Sequence, residues 1–267
     1  IIRVDSSLSI GSGHVMRCRT LAKQLQKVGA EIYFLCRPKK ADLISFLKLD
    51  FTVLVLPEHS TVPPATSDEP SLIGRELYAS WLGCSEEQDA SDCLQVLAES
   101  GVKSASWLVV DHYGLDVSWE QQLIIGLSDC DEVPKLLVID DLADRQHTAH
   151  WLVDTGRLDC WSDPAYAHLV DSSCQILLGP RYSLLSEDYA KERDTIVERK
   201  SLRRVLIFFG GVDRSNWCRL ALIALSHSQL EDLKVDVVLA EGAPHVQEIQ
   251  TLVAQRAGWT LHVGLPT

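Results

Sequence analysis

The sequence predicts an α/β fold with parallel sheets, and three observations support this prediction. Short apolar segments typical of buried strands alternate with amphipathic segments typical of helices. The strand at 1–5 passes through a Gly-rich turn into a helix at 14–28, in which Val15, Cys18 and Leu21 share one face. Later strands at 107–111 and 135–140 each end in aspartate. We therefore expect two Rossmann-like domains, of which the second is truncated.

The elements of the first domain follow from local sequence. Residues 31–36 and 51–56 are apolar and predict two further buried strands, and a Pro-rich loop follows at 58–70. A helix is expected at 85–100, because Ser85 and Gln88 have the spacing of a capping box. The segment from about 150 to 200 is irregular by pattern and ends in a charged run, so we set the domain boundary at 195/196.

The second domain, 196–267, begins a new series of elements. The predicted strands are 204–209, 234–240 and 259–263, and the predicted helices are 216–226 and 244–255. This length is below the usual domain size of about 100 residues. We expect an incomplete domain that has about half of a doubly wound sheet and that binds a nucleotide if its Gly-rich turn holds a diphosphate. Either the chain is a fragment of a longer form or its nucleotide site is incomplete.

Composition argues against several classes of protein. The chain has 267 residues and a net charge of −12, whereas nucleic-acid binders usually carry a basic face. No apolar run approaches the roughly 20 residues that span a bilayer, so we expect no membrane partner. The eight cysteines form no CxxC pair and favour a reduced chain. We therefore expect a cytoplasmic monomer that binds a small molecule.

Polar residues gather where the predicted strands end, and parallel strands bring such ends to one rim. Asp5, Ser7, Gly11, Gly13 and His14 follow the first strand. His14 lies in the first helical turn, where the helix dipole disfavours the imidazolium, so it is either a general base or a residue that caps the turn.

Two loops farther along the chain reach the same rim. Asp111 and Tyr113 follow a second strand, and Asp140, Asp141 and Asp144 follow a third. Tyr113 either hydrogen-bonds and orients His14 or packs the loop. The aspartates either bind Mg²⁺ or stabilise turns.

The Gly-rich turns suggest ligand approach without identifying a cofactor. Gly11 and Gly13 could begin a dinucleotide fingerprint, but Met16 stands where the third glycine belongs. We expect no NAD and no other cofactor. In the second domain, Gly210, Gly211 and the helix start at Asn216 either hold a diphosphate or form a plain turn.

Together the motifs resemble the UDP-2,4-diacetamido-2,4,6-trideoxy-β-L-altropyranose hydrolases of pseudaminic acid biosynthesis, which serve flagellin glycosylation. The similarity covers nearly the whole chain. It lies in the blocks "RVDSSLSIGSGHVMRC", "WLGCSEEQDA", "VVDHYGLD", "IDDLADRQHTA", "LLGPRYSLL" and "IFFGGVD".

The resemblance implies a GT-B-like arrangement of two domains, related to the peptidoglycan N-acetylglucosaminyltransferase. It also implies metal-independent, inverting hydrolysis at the anomeric carbon with release of UDP. The catalytic base of the family matches His14, and Tyr113 matches the tyrosine beside it. We expect the substrate-binding residues to be Ser7, Gly11, Gly13, Arg17, Asp111, Gly210, Gly211 and Asn216.

The chain departs from the family pattern in three places. Asp154-Thr155-Gly156 replaces a common Asp-Gln-Asn, Ser186 replaces an arginine, and the Ser/Gly-rich loop that binds UDP beyond the last strand is not in this sequence. Two alternatives therefore stay open. One is a GT-B-type glycosyltransferase with an alcohol acceptor, and the other is a non-catalytic protein that binds a UDP-sugar.

Overall fold

Strands pair in parallel throughout the described chain, as the alternating pattern predicts. The computed structural model describes residues 1–59, 74–128, 133–157, 165–227 and 232–264. The chain divides into two compact units, Ile1–Ser186 and Glu187–Thr267. The prediction of an α/β chain with two parallel sheets is confirmed. The GT-B-like arrangement, and the boundary at 195/196 with nucleotide binding assigned to the second domain, stay predictions.

Unit 1 contains a seven-stranded sheet in its described ranges, in the order β3-β2-β1-β4-β5-β6-β7. The strands are β1 (Ile2–Val4), β2 (Tyr33–Cys36), β3 (Thr52–Val55), β4 (Trp107–Asp111), β5 (Lys135–Ile139), β6 (Trp151–Asp154) and β7 (Gln175–Leu178). The order reverses direction between β1 and β4, where adjoining loops leave in opposite directions and open a crevice.

Helices cover both faces of this sheet. They are α1 (Gly13–Lys27), α2 (Ile44–Leu47), α3 (Gly74–Leu82), α4 (Glu86–Glu99) and α5 (Val117–Leu127). Val15 and Cys18 of α1 pack with Ile2 and Val109 on one face, whereas Trp119 of α5 packs in the core cluster on the other. The predicted capping box is confirmed in part, because the Ser85 side chain accepts from Gln88 N at 3.2 Å.

The expectation that residues 150–200 are irregular is wrong. This segment contains β6 and β7, a 3₁₀ turn at Pro180–Tyr182 and helix α6 (Glu187–Arg193). The strands have four residues each, and Trp151 begins β6 with an exposed side chain, which obscured the apolar pattern. Most of the predicted Pro-rich loop lies outside the described residues.

Unit 2 has, in its described ranges, a three-stranded sheet in the order β10-β9-β8. Its elements are β8 (Arg204–Ile207), α7 (Trp217–Ser226), β9 (Lys234–Leu239), α8 (Val246–Val253) and β10 (Trp259–Val263). All five lie within three residues of their predicted bounds. Among the described residues of the whole chain, no helix combines the length and apolar content needed to cross a bilayer.

Candidate functional site

The loops after β1 and β4 meet at the point where the strand order reverses, which is where open α/β sheets bind their ligands. In the first loop, Ser7 Oγ accepts from Ser9 N at 3.1 Å and from Ile10 N at 3.0 Å. Gly11 has a φ of +83°, which favours glycine. Gly13 opens α1, and a Cβ at this position would meet nothing within 4 Å. Ser7 and Gly11 therefore shape the turn, while Gly13 leaves open space beside it.

His14 pairs with a buried carboxylate on the neighbouring strand. Its Nδ1 lies 2.5 Å from Asp111 Oδ1, and the Asp111 side chain is fully buried. When Nδ1–H donates to this carboxylate, Nε2 carries the lone pair. His14 Nε2 has no hydrogen-bond partner in the part of the chain that the structure describes, although the residue is only 8% exposed. The imidazole is therefore held in the tautomer of a general base.

Arg17, one turn later on α1, clamps the same carboxylate. Its Nε donates to Asp111 Oδ2 and its Nη2 to Asp111 Oδ1, both at 2.6 Å. Burial on its own would raise the pKa of Asp111, but the charges and hydrogen bonds of His14 and Arg17 outweigh it and hold that pKa well below its usual range. Asp111 therefore stays ionised, and it is tied to protein groups on both oxygens.

Tyr113 lies beside His14 but bonds elsewhere. The two rings meet edge to face with centroids 4.6 Å apart, and Tyr113 Oη donates to Asp141 Oδ2 at 2.6 Å. Of the two alternatives for Tyr113, the hydrogen bond to His14 is not formed, because Asp111 bonds His14 Nδ1 instead. Burial and the Asp141 carboxylate raise the pKa of Tyr113, so its hydroxyl keeps its proton at neutral pH.

Helix α3 places two aromatic residues, Tyr78 and Trp81, beside Tyr113. Sequence analysis did not identify them as site residues. Trp81 stacks against Tyr113 with centroids 6.1 Å apart, and Tyr78 meets Tyr113 edge to face at 5.3 Å. The helix approaches so closely that a Cβ on Gly114 would lie 2.6 Å from the Tyr78 carbonyl oxygen. The available signal was the i, i+3 spacing of Tyr78 and Trp81, which puts both on one helical face.

A buried ion network lies below the site. The Arg3 side chain is fully buried and bonds the carboxylates of Asp5, at 2.5 and 3.0 Å, and Asp89, at 3.1 and 2.8 Å. Arg37 Nη2 adds a bond to Asp89 at 2.7 Å, and Arg37 N donates to Asp5 at 2.8 Å. Asp5 therefore anchors the first loop.

Asp140, the first aspartate after β5, stabilises the turn that follows the strand. Asp140 Oδ2 accepts from Ala143 N at 2.9 Å, and Arg145 pairs with Asp140 at 2.9 Å. A different set of side chains has metal-ligand chemistry within the described residues, namely His59, Cys84 and Asp92. Arg37 donates to Asp92 Oδ2 at 2.8 Å, which places a positive charge where a cation would bind.

Unit 2 presents the second predicted glycine turn. Gly210 has a φ of +80°, and a Cβ on Gly211 would lie 3.1 Å from Ala240 Cβ. The first amides of α7 are bonded by Asp213, which accepts from Trp217 N at 2.9 Å and from Cys218 N at 2.8 Å. This carboxylate takes the place of an anion at the helix start.

Asn216 is also engaged within unit 2, because its side-chain amide donates to Glu248 Oε2 at 2.8 Å. The nucleotide contacts of Gly210, Gly211 and Asn216 stay predictions.

Comparison with known proteins gives one curated relative. The chain is similar to the UDP-2,4-diacetamido-2,4,6-trideoxy-beta-L-altropyranose hydrolase of Campylobacter jejuni. The two are 25% identical over 251 residues, which cover 94% of this chain and 72% of the relative. The similarity expected from the motifs is thus confirmed. No family model matches the chain.

Among solved structures, the chain is similar to MurG of Acinetobacter baumannii, with a TM-score of 0.45 and 14% identity. That match covers all of this chain but only 66% of the MurG chain, slightly less than two thirds.

Proposed function

We propose that this chain hydrolyses a UDP-sugar at the anomeric carbon and releases UDP and the free sugar. One observation carries the proposal: His14 Nδ1 is bonded to a buried, ionised carboxylate, while Nε2 has no partner among the described residues. An imidazole held in this way at the strand-order reversal is suited to take a proton from water. The name of the Campylobacter jejuni relative supports a reaction of this class.

The proposed chemistry needs one displacement. Water loses a proton to His14 Nε2 as its oxygen attacks the anomeric carbon, and the bond from that carbon to the β-phosphate oxygen breaks. The electron pair of that bond leaves with UDP. Asp111 stabilises the imidazolium that forms, and Arg17 holds Asp111 in place. Because one displacement involves no covalent intermediate, the sugar configuration inverts, and no step requires a metal.

For the substrate, we propose UDP-2,4-diacetamido-2,4,6-trideoxy-β-L-altropyranose, as in pseudaminic acid biosynthesis. The relative's name supports this choice. The short side chains of the first loop suit it as well, because Gly13 leaves open space beside His14.

The test is hydrolysis of this UDP-sugar in H₂¹⁸O by the wild-type chain and by His14→Gln. Glutamine can still donate to Asp111 but cannot take a proton, so we expect turnover to fall by about 10²–10⁴-fold. The matched control is His168→Gln, which changes an exposed histidine and should leave turnover unchanged.

The position of the ¹⁸O label, and whether UDP release requires an added alcohol, distinguish the possible mechanisms. We expect ¹⁸O in the released sugar and none in UDP. Label in UDP would mean attack at phosphorus, and release of UDP only after an alcohol is added would mean a transferase. Near-normal turnover by His14→Gln would remove His14 as the base.

A further inference from the structure

Three aromatic side chains form one group beside the proposed base. We call Tyr78, Trp81 and Tyr113 the aromatic wall. Besides their contacts with Tyr113, Tyr78 and Trp81 meet edge to face with centroids 4.9 Å apart. Tyr78 and Trp81 are half-buried, so part of each ring stays open to solvent. The wall continues from the edge of the His14 ring through Tyr113.

The position of the wall is fixed by contacts at the N-terminal end and near the middle of α3. Arg75 pairs with Asp116, which caps α5, and its Nη2 lies 3.8 Å from Glu86 Oε1. Near the middle of the helix, Gly114 permits the close approach of Tyr78 backbone to the loop after β4. The rings are therefore held against the loop that carries Tyr113.

Polar groups without partners lie along this wall. Asp141 Oδ2 accepts from Arg17 and Tyr113, whereas Asp141 Oδ1 has no partner within the described ranges. The Asp141 side chain is 23% exposed, so this second oxygen has access to a ligand. In the same ranges neither Trp81 Nε1 nor Tyr78 Oη has a hydrogen-bond partner. The site thus offers one anionic acceptor and two neutral donors next to apolar ring faces.

This combination matches an acylamino group better than a hydroxyl. An acetamido group has an N–H donor, a carbonyl acceptor and a methyl group that gains from contact with an aromatic face. A hydroxyl group could donate a hydrogen bond to the Asp141 carboxylate, but it would leave the face of the Trp81 ring without an apolar group to contact. The chemical group that fits these side chains is therefore a planar amide with a terminal methyl group.

We propose that the aromatic wall and Asp141 bind an acetamido group of the sugar, with its methyl on the Trp81 ring and its N–H on Asp141 Oδ1. The proposal rests on the proposed function, because it assigns part of the same substrate. Trp81 would then determine the preference for N-acetylated sugars over sugars without acetyl groups.

Binding of the free sugars tests this without any hydrolysis. The probes are 2,4-diacetamido-2,4,6-trideoxy-L-altrose and 6-deoxy-L-altrose, titrated by NMR with saturation transfer to the C6 methyl group that both sugars carry. We expect the wild-type chain to prefer the diacetamido sugar. Trp81→Ala should weaken its binding by about tenfold, the change that about 1.4 kcal/mol produces, and leave 6-deoxy-L-altrose unaffected. Trp81→Phe should restore most of the preference.

The control is Trp151→Ala, since Trp151 is 42% exposed and lies at the amino-terminal end of β6, whereas the site lies at the carboxyl ends of the strands. An unchanged preference in Trp81→Ala, or no preference in the wild-type chain, would overturn the assignment. Failure of the proposed function looks different, because acetyl-dependent binding would persist while no UDP is released from the UDP-sugar.

Discussion

Replacing Asp111 with asparagine should reverse the tautomer of His14. The carboxylate accepts from His14 and Arg17 Nη2 on Oδ1, and from Arg17 Nε on Oδ2. Asparagine has one acceptor oxygen and one NH₂ donor. If its oxygen faces His14, its NH₂ opposes Arg17 Nε–H. If its oxygen faces Arg17 Nε, its NH₂ donates to His14 Nδ1 and forces the proton onto Nε2.

The size of the effect follows from these two arrangements. Either one leaves a donor facing a donor in a fully buried position, which costs about 1–3 kcal/mol of unfolding free energy. Each arrangement keeps His14 and one Arg17 nitrogen bonded. We expect the second to dominate, because the nitrogen that then loses its acceptor is Arg17 Nη2, a terminal NH₂ with a second N–H on a side chain that is 20% exposed, whereas Nε has a single N–H. The second arrangement converts His14 Nε2 from an acceptor to a donor, so turnover should fall by about 10²–10⁴-fold, the usual contribution of a general base.

Two assays separate stability from chemistry. Long-range ¹H–¹⁵N NMR at neutral pH reports which ring nitrogen of His14 is protonated, and urea unfolding reports the cost in stability. We expect Nδ1–H in the wild-type chain and Nε2–H in Asp111→Asn. A variant that retains the Nδ1–H tautomer and turns over within threefold of wild type would refute the reasoning, whatever its stability.

Two further predictions concern α3 and its anchors. Gly114→Ala should cost about 1–3 kcal/mol and increase hydrogen exchange in α3, because its Cβ would meet the Tyr78 carbonyl at 2.6 Å. Gly13→Ala is the control, with open space and no expected loss. Burial and the Asp116 carboxylate raise the pKa of Glu86 from 4.5 to about 7. The stability from protonated Glu86 is complete below about pH 4.5 and lost as pH rises through about 7. The urea midpoint should therefore fall more from pH 5 to 8 in wild type than in Glu86→Gln, and equal falls would contradict this.

Much of the strand pattern could be predicted because the strands buried on both faces are continuously apolar. The strand at Trp107–Asp111 was predicted residue for residue, and α4 began one residue after its predicted cap at Ser85. The strand β7 was missed because Gln175 and Ile176 are exposed and its four residues carry too little pattern.

The site was only partly visible in the sequence. Because the carboxyl ends of parallel strands lie at one rim of a sheet, the sequence predicted that His14 and Asp111 lie at the same rim. Their contact joins residues 97 positions apart in the sequence, however, and it requires β1 and β4 to be neighbours. Strand order does not follow from local sequence. Likewise, helix α3 was not predicted, and the approach of Tyr78 and Trp81 to Tyr113 depends on the space at Gly114, which the sequence pattern does not reveal.

The buried network around Arg3 has a consequence for how the protein assembles on the ribosome. The strand β1 lies between β2 and β4, yet the Arg3 charge is neutralised in part by Asp89, which emerges 86 residues later. At ~5–20 residues per second, translation takes about 4–17 s to cover that distance. Until then only the Asp5 carboxylate can pair with the Arg3 guanidinium, so β1 is synthesised well before the ion network that stabilises it in the centre of the sheet can be completed.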